Sequence, residues 1–501
     1  MRKFGELTPK AFYSKHEAHR TDYELRAERI SKMTLPYLMP VKGTSSSSKM
    51  SDSISQSYNG RLIQTLKAKM GMSLLPPSTS SFRLEPDSDV LAQLTAGDAN
   101  KNAEIAAMLS GTVARVNKEM EAQQIRDKMF DMLIQLIAVG SCVLEKLPKN
   151  GMMIHTLRNF VVDLDANGEA RAICILEKKK DLPESIIPPK EEDEYELYTL
   201  IERNNDDQKW HVTQTIGDQE VGAELTYSDK DLPYQYIGWT WMDGDYYHRP
   251  YAEDYIDDME QYNTLSNLLL KGSVIAAKSL IFVDQRGNRT KLKDVSESAN
   301  GDVINGRADD VTAFQLNKNF DFQVPMQRLQ DIGKNLASAF LMNESVTRDA
   351  ERVTAQEIRF MAQELESSSL SGVYSKLAKK VSKRLIEWIM AELNIDFSEV
   401  GINIITGLDA LGRSQEAQKL DSLVQRLTAL GMMDYLNESE LATLYAAFEA
   451  IDTTGLLNTP AQVAQARQQR AQAQTQQTGV DALATSAGTN AGAAIVNGVP
   501  Q

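Results

Sequence analysis

Two runs of the chain place apolar residues every three or four positions, a spacing that predicts amphipathic helices on either side of a polar loop. The first run extends from Pro325 to Met342, and Pro325 suits the first helical turn because a missing N–H costs nothing there. The second begins with Thr354 as N-cap and Glu357, three residues later, as its capping-box partner. The intervening residues 343–352 are too polar to bury, so we expect an exposed loop that is held firmly at both ends.

The same patterns predict the remaining elements. The second helix keeps helical spacing at Ile358, Ala362, Leu365, Val373, Leu377, Val381, Leu385 and Trp388. Other helices are predicted over residues 1–40, 61–75, 99–147, 252–278, 407–430, 433–450 and onward to about 477. Alternating patterns predict strands near residues 82–84, 153–157, 160–163, 172–176, 195–203, 210–216 and 236–242, with a hairpin turn at Asn167-Gly168. The predicted fold class is therefore α+β and mostly helical.

Composition limits the class of protein. The formal net charge of −15 argues against a tight, sequence-reading DNA binder, which normally carries a basic excess. The N-terminus lacks the apolar stretch of a signal peptide, and the longest apolar run, Met132–Leu144, is too short to span a bilayer. Cys142 and Cys174 both lie in apolar runs, which favours buried free thiols over a disulfide.

Motifs for catalysis or cofactor binding are missing from the sequence. It contains no phosphate-binding loop, no zinc-protease motif and no dinucleotide fingerprint, and five histidines leave little material for a general-base site. Residues 163–168 imitate the start of a calcium loop, but Cys174 stands where a bidentate glutamate is required, so a β-turn is favoured. His16 and His19 lack a nearby third ligand, which favours a solvated helix face. We predict no enzyme activity, no cofactor and no metal.

Three stretches carry a resemblance to a known family: Leu341-Met342-Asn343, the run Glu351–Arg359, and Gly372-Val373-Tyr374-Ser375. They resemble the portal protein, or head-to-tail connector, of short-tailed bacteriophages (podoviruses). The resemblance extends from about Tyr58 to Thr454 and is weakest near residues 180–230. It implies the phage portal fold with wing, stem, clip and crown regions, assembled as a dodecameric ring around a central DNA channel.

The resemblance implies a division of the chain into regions. The predicted regions are an N-terminal helix and Ser-rich linker (1–57), wing (58–250), stem helix (251–279), clip (280–322), second stem helix (323–343), tunnel loop (344–353), wing-crossing helix and following helix (354–432), crown helices (433–478) and a disordered tail (479–501).

The resemblance also implies a function and partners. The ring would occupy one capsid vertex, where viral DNA is packaged and ejected, and would assemble in the bacterial host cytoplasm. Implied partners are further copies of the chain, double-stranded DNA without sequence specificity, the terminase large subunit, a tail adaptor or tail tube protein, the major capsid and scaffolding proteins, and internal core proteins; no membrane partner is implied. The alternatives from other classes are a non-viral helical scaffold or adaptor, or an enzyme with an unrecognised site.

Three groups of side chains are candidate site residues. The tunnel-loop group is Glu344, Thr347, Arg348, Asp349 and Arg352, in which the carboxylates also offer intramolecular partners for the arginines. The stem group, for positive rings in a channel wall or for intersubunit salt bridges, is Lys271, Lys278, Arg328 and Lys334. The clip group, for an acidic partner or passing phosphates or merely a solvated face, is Arg286, Arg289, Lys291, Lys293 and Arg307.

Overall fold

The computed structural model of the chain describes residues 5–42, 56–76, 80–86, 99–148, 151–179, 194–217, 219–276, 279–283, 311–315, 319–342, 360–395 apart from 362 and 366, 400–404 and 420–432, with a few single positions elsewhere. The chain divides into two compact units. The first consists of Met1–Ser73 and Gln123–Leu377, and the second of Leu74–Ala122 and Ala378–Gln501. Both units combine helices with strands, in agreement with the predicted α+β class.

The main elements follow in chain order. The helices are α1 (Pro9–Met33), α2 (Tyr58–Leu74), α3 (Ala99–Ala122), α4 (Ile125–Ala138), α5 (Ile256–Ala276), α6 (Asn319–Ala339), α7 (Ser371–Leu377) and α8 (Lys383–Glu392). The strands are β1 (Phe82–Pro86), β2 (Ser141–Lys146), β3 (Met152–His155), β4 (Phe160–Leu164), β5 (Ala170–Lys179), β6 (Tyr195–Arg203), β7 (Trp210–Ile216), β8 (Gln219–Glu220), β9 (Leu225–Tyr227), β10 (Tyr234–Gly238), β11 (Ser279–Val283), β12 (Val311–Gln315) and β13 (Val400–Ile404).

An antiparallel sheet in the order β4-β5-β6-β7-β8, with β9 also pairing with β7, lies in the first unit. Helix α1 covers this sheet, and Phe12 and Tyr13 pack against Val161, Cys174 and Leu200. The prediction that both cysteines are buried free thiols is confirmed. Removal of these apolar side chains from water holds the helix on the sheet.

The hairpin turn between β4 and β5 is confirmed at its predicted position. One carboxylate oxygen of Asp165 accepts the backbone N–H groups of Asn167 at 2.8 Å and Glu169 at 2.9 Å, and Gly168 follows with φ +75°. An Asp side chain that binds the backbone two residues on is a standard turn device. The segment therefore forms the β-turn that the sequence favoured over a calcium loop.

A buried charge ties α1 to the sheet. Arg20 donates to the Tyr13 hydroxyl at 2.7 Å and to the Phe160 carbonyl at 3.0 Å, and its Nε lies 2.6 Å from Glu24 Oε1. Both charged side chains are almost fully buried. Because an unpaired buried charge is costly, this network fixes the rotation and height of α1 on the sheet.

A second sheet of the first unit, in the order β10-β2-β3, corrects one prediction. The apolar segment after Ala138 is the central strand β2, not the end of a helix over residues 99–147. Gly140 turns the chain with φ +101°, and a Cβ atom there would lie 2.5 Å from the His248 carbonyl oxygen. Periodicity alone does not separate a fully buried strand from a buried helix, so the apolar run was ambiguous.

Helices α5 and α6 form an antiparallel pair in the first unit, and β11 and β12 continue from their ends as an antiparallel ladder. The helices approach closely at two glycines. A Cβ on Gly272 would lie 2.5 Å from the ring of Phe322, and one on Gly333 would lie 3.2 Å from the ring of Tyr262. Small residues at these positions let the two backbones come together.

The start of α6 corrects a second prediction. The helix begins at Asn319, so Pro325 lies inside it rather than in its first turn. A proline there forfeits one backbone hydrogen bond. The buried face of α6, formed by Ile332 and Leu336 and continued by Phe340 directly after the helix, supplies enough packing for the helix to persist through that loss.

The helix after the polar loop is not continuous. Its predicted cap at Thr354 lies outside the described residues, and the chain turns at Ser368 before α7 begins at Ser371. The Ser368 hydroxyl donates to the Leu365 carbonyl at 2.7 Å and lies 3.2 Å from the Leu370 backbone N–H. Serine side chains that bind nearby backbone compete with the helical ladder, which explains the interruption.

In the second unit, β1 pairs antiparallel with β13, with Phe82 opposite Ile404. Strand β1 was predicted, whereas β13 was not. The sequence Val-Gly-Ile-Asn-Ile of β13 does alternate, so a period-two signal was present.

Helix α8 of the second unit buries Leu385, Ile386 and Ile389, and a π-helical turn, Ala378–Ser382, precedes it.

Several predictions fall wholly or largely outside the described residues. They concern the Ser-rich linker near residues 43–57, most of the clip residues 284–310, the loop 344–353 and most of the chain beyond 432.

Candidate functional site

The base of the polar loop is organised by a buried lysine of α2. Lys69 Nζ donates to the Leu341 carbonyl at 2.6 Å and to Glu364 Oε2 at 2.6 Å, and its side chain is only 4% exposed. Leu341 lies two residues before the polar loop and has φ +54°, an uncommon conformation for a residue with a Cβ. Glu364 follows the loop. One ammonium group therefore ties together the chain before the loop and the chain after it.

Sequence reasoning did not identify Lys69, although a signal existed. Helix α2 buries Leu62, Leu66 and Met70 on one face, and Lys69 falls on that face by helical spacing. A charged residue on an apolar stripe is rarely buried without a partner. The sequence could not identify that partner, because Glu364 is 295 positions away.

Aromatic rings join the chain just before α5, a 3-10 turn over Tyr251–Tyr255, to the residue just after α6. The Phe340 ring centroid lies 5.1 Å from that of Tyr251 and 5.4 Å from that of Tyr255, both in edge-to-face contacts. The Tyr251 hydroxyl donates to the Ala339 carbonyl at 2.7 Å. Tyr58 of α2 stacks on Tyr262 at 4.7 Å. The helix pair is thus rigidly supported at the end from which the polar loop departs.

The predicted basic residues of the helix pair lie on its surface. Lys271 on α5 and both Arg328 and Lys334 on α6 are exposed, while Lys278 lies outside the described residues. Arg328 lines an open groove of about 550 Å³ whose other lining residues are Asp257, Glu260, Gln261, Thr264 and Leu265. Arg328 therefore shares this groove with two carboxylates of its own chain, those of Asp257 and Glu260.

Arg29 of α1 binds two carboxylates that line this groove, those of Glu260 and Asp257. Its guanidinium lies 2.7 Å from both oxygens of Glu260 and 2.7 Å from Asp257. Hydrogen bonds, first to Glu260 and then to Asp257, raise the pKa of Arg29 above its ordinary value. The groove is therefore an ionic cluster that links α1 to α5.

The outer faces of the helix pair carry exposed apolar side chains. Gly272 faces α6, and Leu270 and Val274 each stand two residues away, about 200° around the helix. Leu270 is 56% exposed and Val274 is 54% exposed. On α6, Phe322 faces α5, and Val324, two residues on, is 74% exposed. At the same level of the pair, therefore, apolar groups project from two opposite sides.

The remaining candidate residues do not come together in the described part of the chain. The five loop residues, Glu344, Thr347, Arg348, Asp349 and Arg352, lie outside it. Of the clip group, Arg286, Arg289, Lys291 and Arg307 lie outside it, and Lys293 is an exposed single position. His16 and His19 both contact aromatic rings: Phe12 stacks on His16 at 4.3 Å and Tyr246 on His19 at 3.9 Å.

No helix within the described ranges has the length and apolar character needed to cross a membrane.

Comparison with known proteins assigns a family to this architecture. Residues 8–457 match the family described as bacteriophage head to tail connecting protein. The portal protein of Enterobacteria phage T3 is 30% identical over 515 residues, covering 98% of this chain and 94% of that protein. The portal protein of Escherichia phage T7 is 30% identical over 499 residues, covering 94% and 91%. Among solved structures, a chain from the virion of a native gene transfer agent particle is 10% identical with a TM-score of 0.39, covering 84% of this chain and 92% of its own.

Proposed function

The chain belongs to the family of bacteriophage head to tail connecting proteins, and from this premise we propose that copies of it close into a ring, twelve in number, around a channel for double-stranded DNA. The ring sits at one capsid vertex, where DNA enters during packaging and leaves during ejection. The single observation that carries this function is the family match, which extends over residues 8–457.

Family membership bears on three expectations from the sequence. It identifies a portal protein of a phage virion rather than a non-viral scaffold. It agrees with a structural role rather than an enzymatic one, since the relatives are portal proteins. It also locates the protein at the portal vertex of the virion, within the class of short-tailed phages.

The outer faces of the helix pair support the proposal of a ring. One face presents Leu270 and Val274, and the opposite face presents Val324. A contact between two different faces is heterologous, and repeated heterologous contacts generate a ring when the rotation closes. Burial of these apolar groups against neighbouring copies on both sides removes them from water, which favours the assembled state.

The regions inferred from the sequence fit this assembly. In the proposal, α5 and α6 are the two stem helices and residues 344–353 form the tunnel loop. The clip, predicted at residues 280–322, is the chain between the two helices and ends before Asn319, where α6 begins. Residues 58–250 and 354–432 form the wing and 433–478 the crown. The Lys69 contacts to Leu341 and Glu364 support a loop whose base is fixed, so that its tip projects in a defined direction.

Charge supports loose contact between the channel and DNA. The formal net charge of −15 suits a channel through which DNA slides without tight adhesion. Exposed Lys271 and Lys334 supply the weak phosphate contacts on the stem, whereas Arg328 also has carboxylates beside it. Contacts to phosphates alone do not read sequence.

The partners follow from the position of each region. The terminase large subunit, and later the tail adaptor, dock at the clip, where Arg286, Arg289, Lys291, Lys293 and Arg307 provide basic contacts. Major capsid and scaffolding proteins surround the wing, and internal core proteins meet the crown. The ring assembles in the bacterial host cytoplasm.

Particle mass and negative-stain images of the purified protein test the ring. Twelve copies of the 55.8 kDa chain make a particle of roughly 0.67 MDa with a central hole. Leu270→Asp and Val324→Asp place a charge on either outer face, and we expect each to abolish or strongly reduce ring formation. Leu225→Asp, at a residue 51% exposed on β9, is the matched control and should leave the ring intact. A wild type that stays monomeric even with co-expressed capsid and scaffolding proteins would contradict the proposal.

Deletion of Arg348–Ala350 tests the tunnel loop separately. Rings should form normally, while DNA packaging or retention should fall. If the deletion prevents ring formation, the loop is an assembly element instead.

A further inference from the structure

Three potential metal ligands meet between the two sheets of the first unit. Glu145 on β2, His155 on β3 and Glu177 on β5 bring one ligand atom each to within 4.8 Å of the others. His155 is almost fully buried, and the two carboxylates are mostly buried, with side chains 19% and 18% exposed. None of these residues takes part in the proposed ring or channel.

The strand register explains why they meet. Val143 is directly opposite His155, so Glu145, two residues along β2, projects from the same face as the histidine. His155 Nε2 lies 2.7 Å from Glu145 Oε2. Glu177 belongs to the other sheet, in which β5 pairs with β4 and β6. The cluster therefore connects two sheets that share no ladder.

The charge balance of the cluster favours a cation. Two carboxylates lie close together in a largely buried place, where like charges repel more strongly than in water. Lys179, whose side chain is 36% exposed, places its Nζ 2.9 Å from Oε2 of Glu177. The Tyr234 hydroxyl donates to Glu145 Oε1 at 3.1 Å and orients that carboxylate. A divalent ion between the three ligands would neutralise the remaining negative charge.

We propose that Glu145, His155 and Glu177 form a structural site for a four-coordinate divalent metal ion, with zinc as the preferred ion and water as the fourth ligand. One imidazole and two carboxylates are suitable ligands for zinc, which binds them at about 2.0–2.2 Å. The three ligand atoms lie within 4.8 Å of one another, so binding requires the two glutamate side chains to rotate toward the ion, which then replaces the His155–Glu145 hydrogen bond. The ion fastens the β2 sheet to the β5 sheet.

Zinc titration of the full-length, tag-free protein tests the site. The protein is freed of metal with a chelator, and binding of zinc chloride is followed by calorimetry and by metal content after desalting. We expect one zinc per chain and a higher melting temperature with zinc than without. Glu177→Gln keeps the size of the side chain and is expected to weaken zinc binding at least about tenfold, since even outer partners of metal ligands contribute that much. His155→Asn should weaken it further.

His211 provides the matched control. It also has two carboxylate neighbours, but Asp207 and Glu224 bind opposite nitrogens of the ring and so do not share one ion with it. His211→Asn should leave zinc binding unchanged. The proposal is overturned if the wild type binds no zinc, if Glu177→Gln binds as tightly as the wild type, or if only His211→Asn loses binding. Because Glu177 is partly exposed, its variant remains informative if the buried His155 variant fails to fold.

Discussion

Lys69 and Glu364 form an ion pair of 2.6 Å although 295 positions separate them in the chain. The lysine side chain is 4% exposed and the glutamate side chain 17% exposed, so neither charge is well solvated. The same ammonium group also binds the Leu341 carbonyl at 2.6 Å. Residues 341 and 364 bracket the polar loop, and the pair thus determines where the loop leaves the fold.

Lys69→Met should be strongly destabilising. Removing one partner of a buried pair leaves the other charge unpaired, a loss of about 3–5 kcal/mol in the free energy of unfolding. Chemical denaturation measures it. Lys67→Met, two positions away on the same helix and only half-buried, is the control and should cost much less. The double variant Lys69→Met/Glu364→Met should recover part of the loss, and equal effects for the two single lysine variants would contradict this account.

Arg29→Ala should have a small effect despite its three short contacts. The Arg29 side chain is 49% exposed and Asp257 is 80% exposed, so solvent screens the attraction. Exposed ion pairs contribute about 0.2–1 kcal/mol. Thermal unfolding at low and at high salt provides the measurement. A loss as large as that for Lys69→Met would mean that the groove carboxylates are far less screened than their exposure indicates.

Gly140→Ala should destabilise the first unit. The added Cβ would meet the His248 carbonyl oxygen at 2.5 Å, and φ +101° is unfavourable for any residue with a side chain. Backbone strain of this kind costs about 1–3 kcal/mol. Gly217→Ala is a useful comparison, since that glycine has φ +62° but open space around it. If the two variants unfold at the same denaturant concentration, the close approach of His248 contributes nothing.

The contacts of His211 should make β9 more stable at lower pH. Burial alone lowers the pKa of His211, but hydrogen bonds to Asp207 and Glu224 outweigh it and raise the pKa above 6.5. A raised folded-state pKa means that the contribution is complete below the unfolded-state pKa and is lost as pH rises through the folded-state value. Hydrogen-exchange protection of Leu225–Tyr227 should therefore fall in the wild type as the pH is raised above about 6.5, the ordinary pKa of histidine. In His211→Asn the fall should be smaller, and an unchanged profile would exclude His211 as its source.

Local signals in the sequence were sufficient for many elements. Residues 1–40 were predicted to be helical and contain α1, whose first turn the Thr8 side chain caps in the structure, and Asn167-Gly168 with alternating neighbours produces the β4–β5 hairpin. Both depend on residues a few positions apart. The motifs around residues 341–375 were enough to indicate the family, because a motif preserves residue identity and order independently of contacts elsewhere.

Apart from the helix break at Ser368, which local hydrogen bonds explain, the corrections concern interactions between distant residues. The run after Ala138 is a strand because it pairs with β10 and β3. Strand β13 pairs with β1, which lies more than 300 positions earlier in the chain. Pro325 stayed inside a helix because packing outweighed one lost hydrogen bond. By itself, the sequence determined the periodicity, the turns and the family of this protein. Only the tertiary structure decided the partner of Lys69, the meeting of Glu145, His155 and Glu177, and the exposure of Leu270 and Val324, because burial and charge pairing depend on residues that chain order does not bring together.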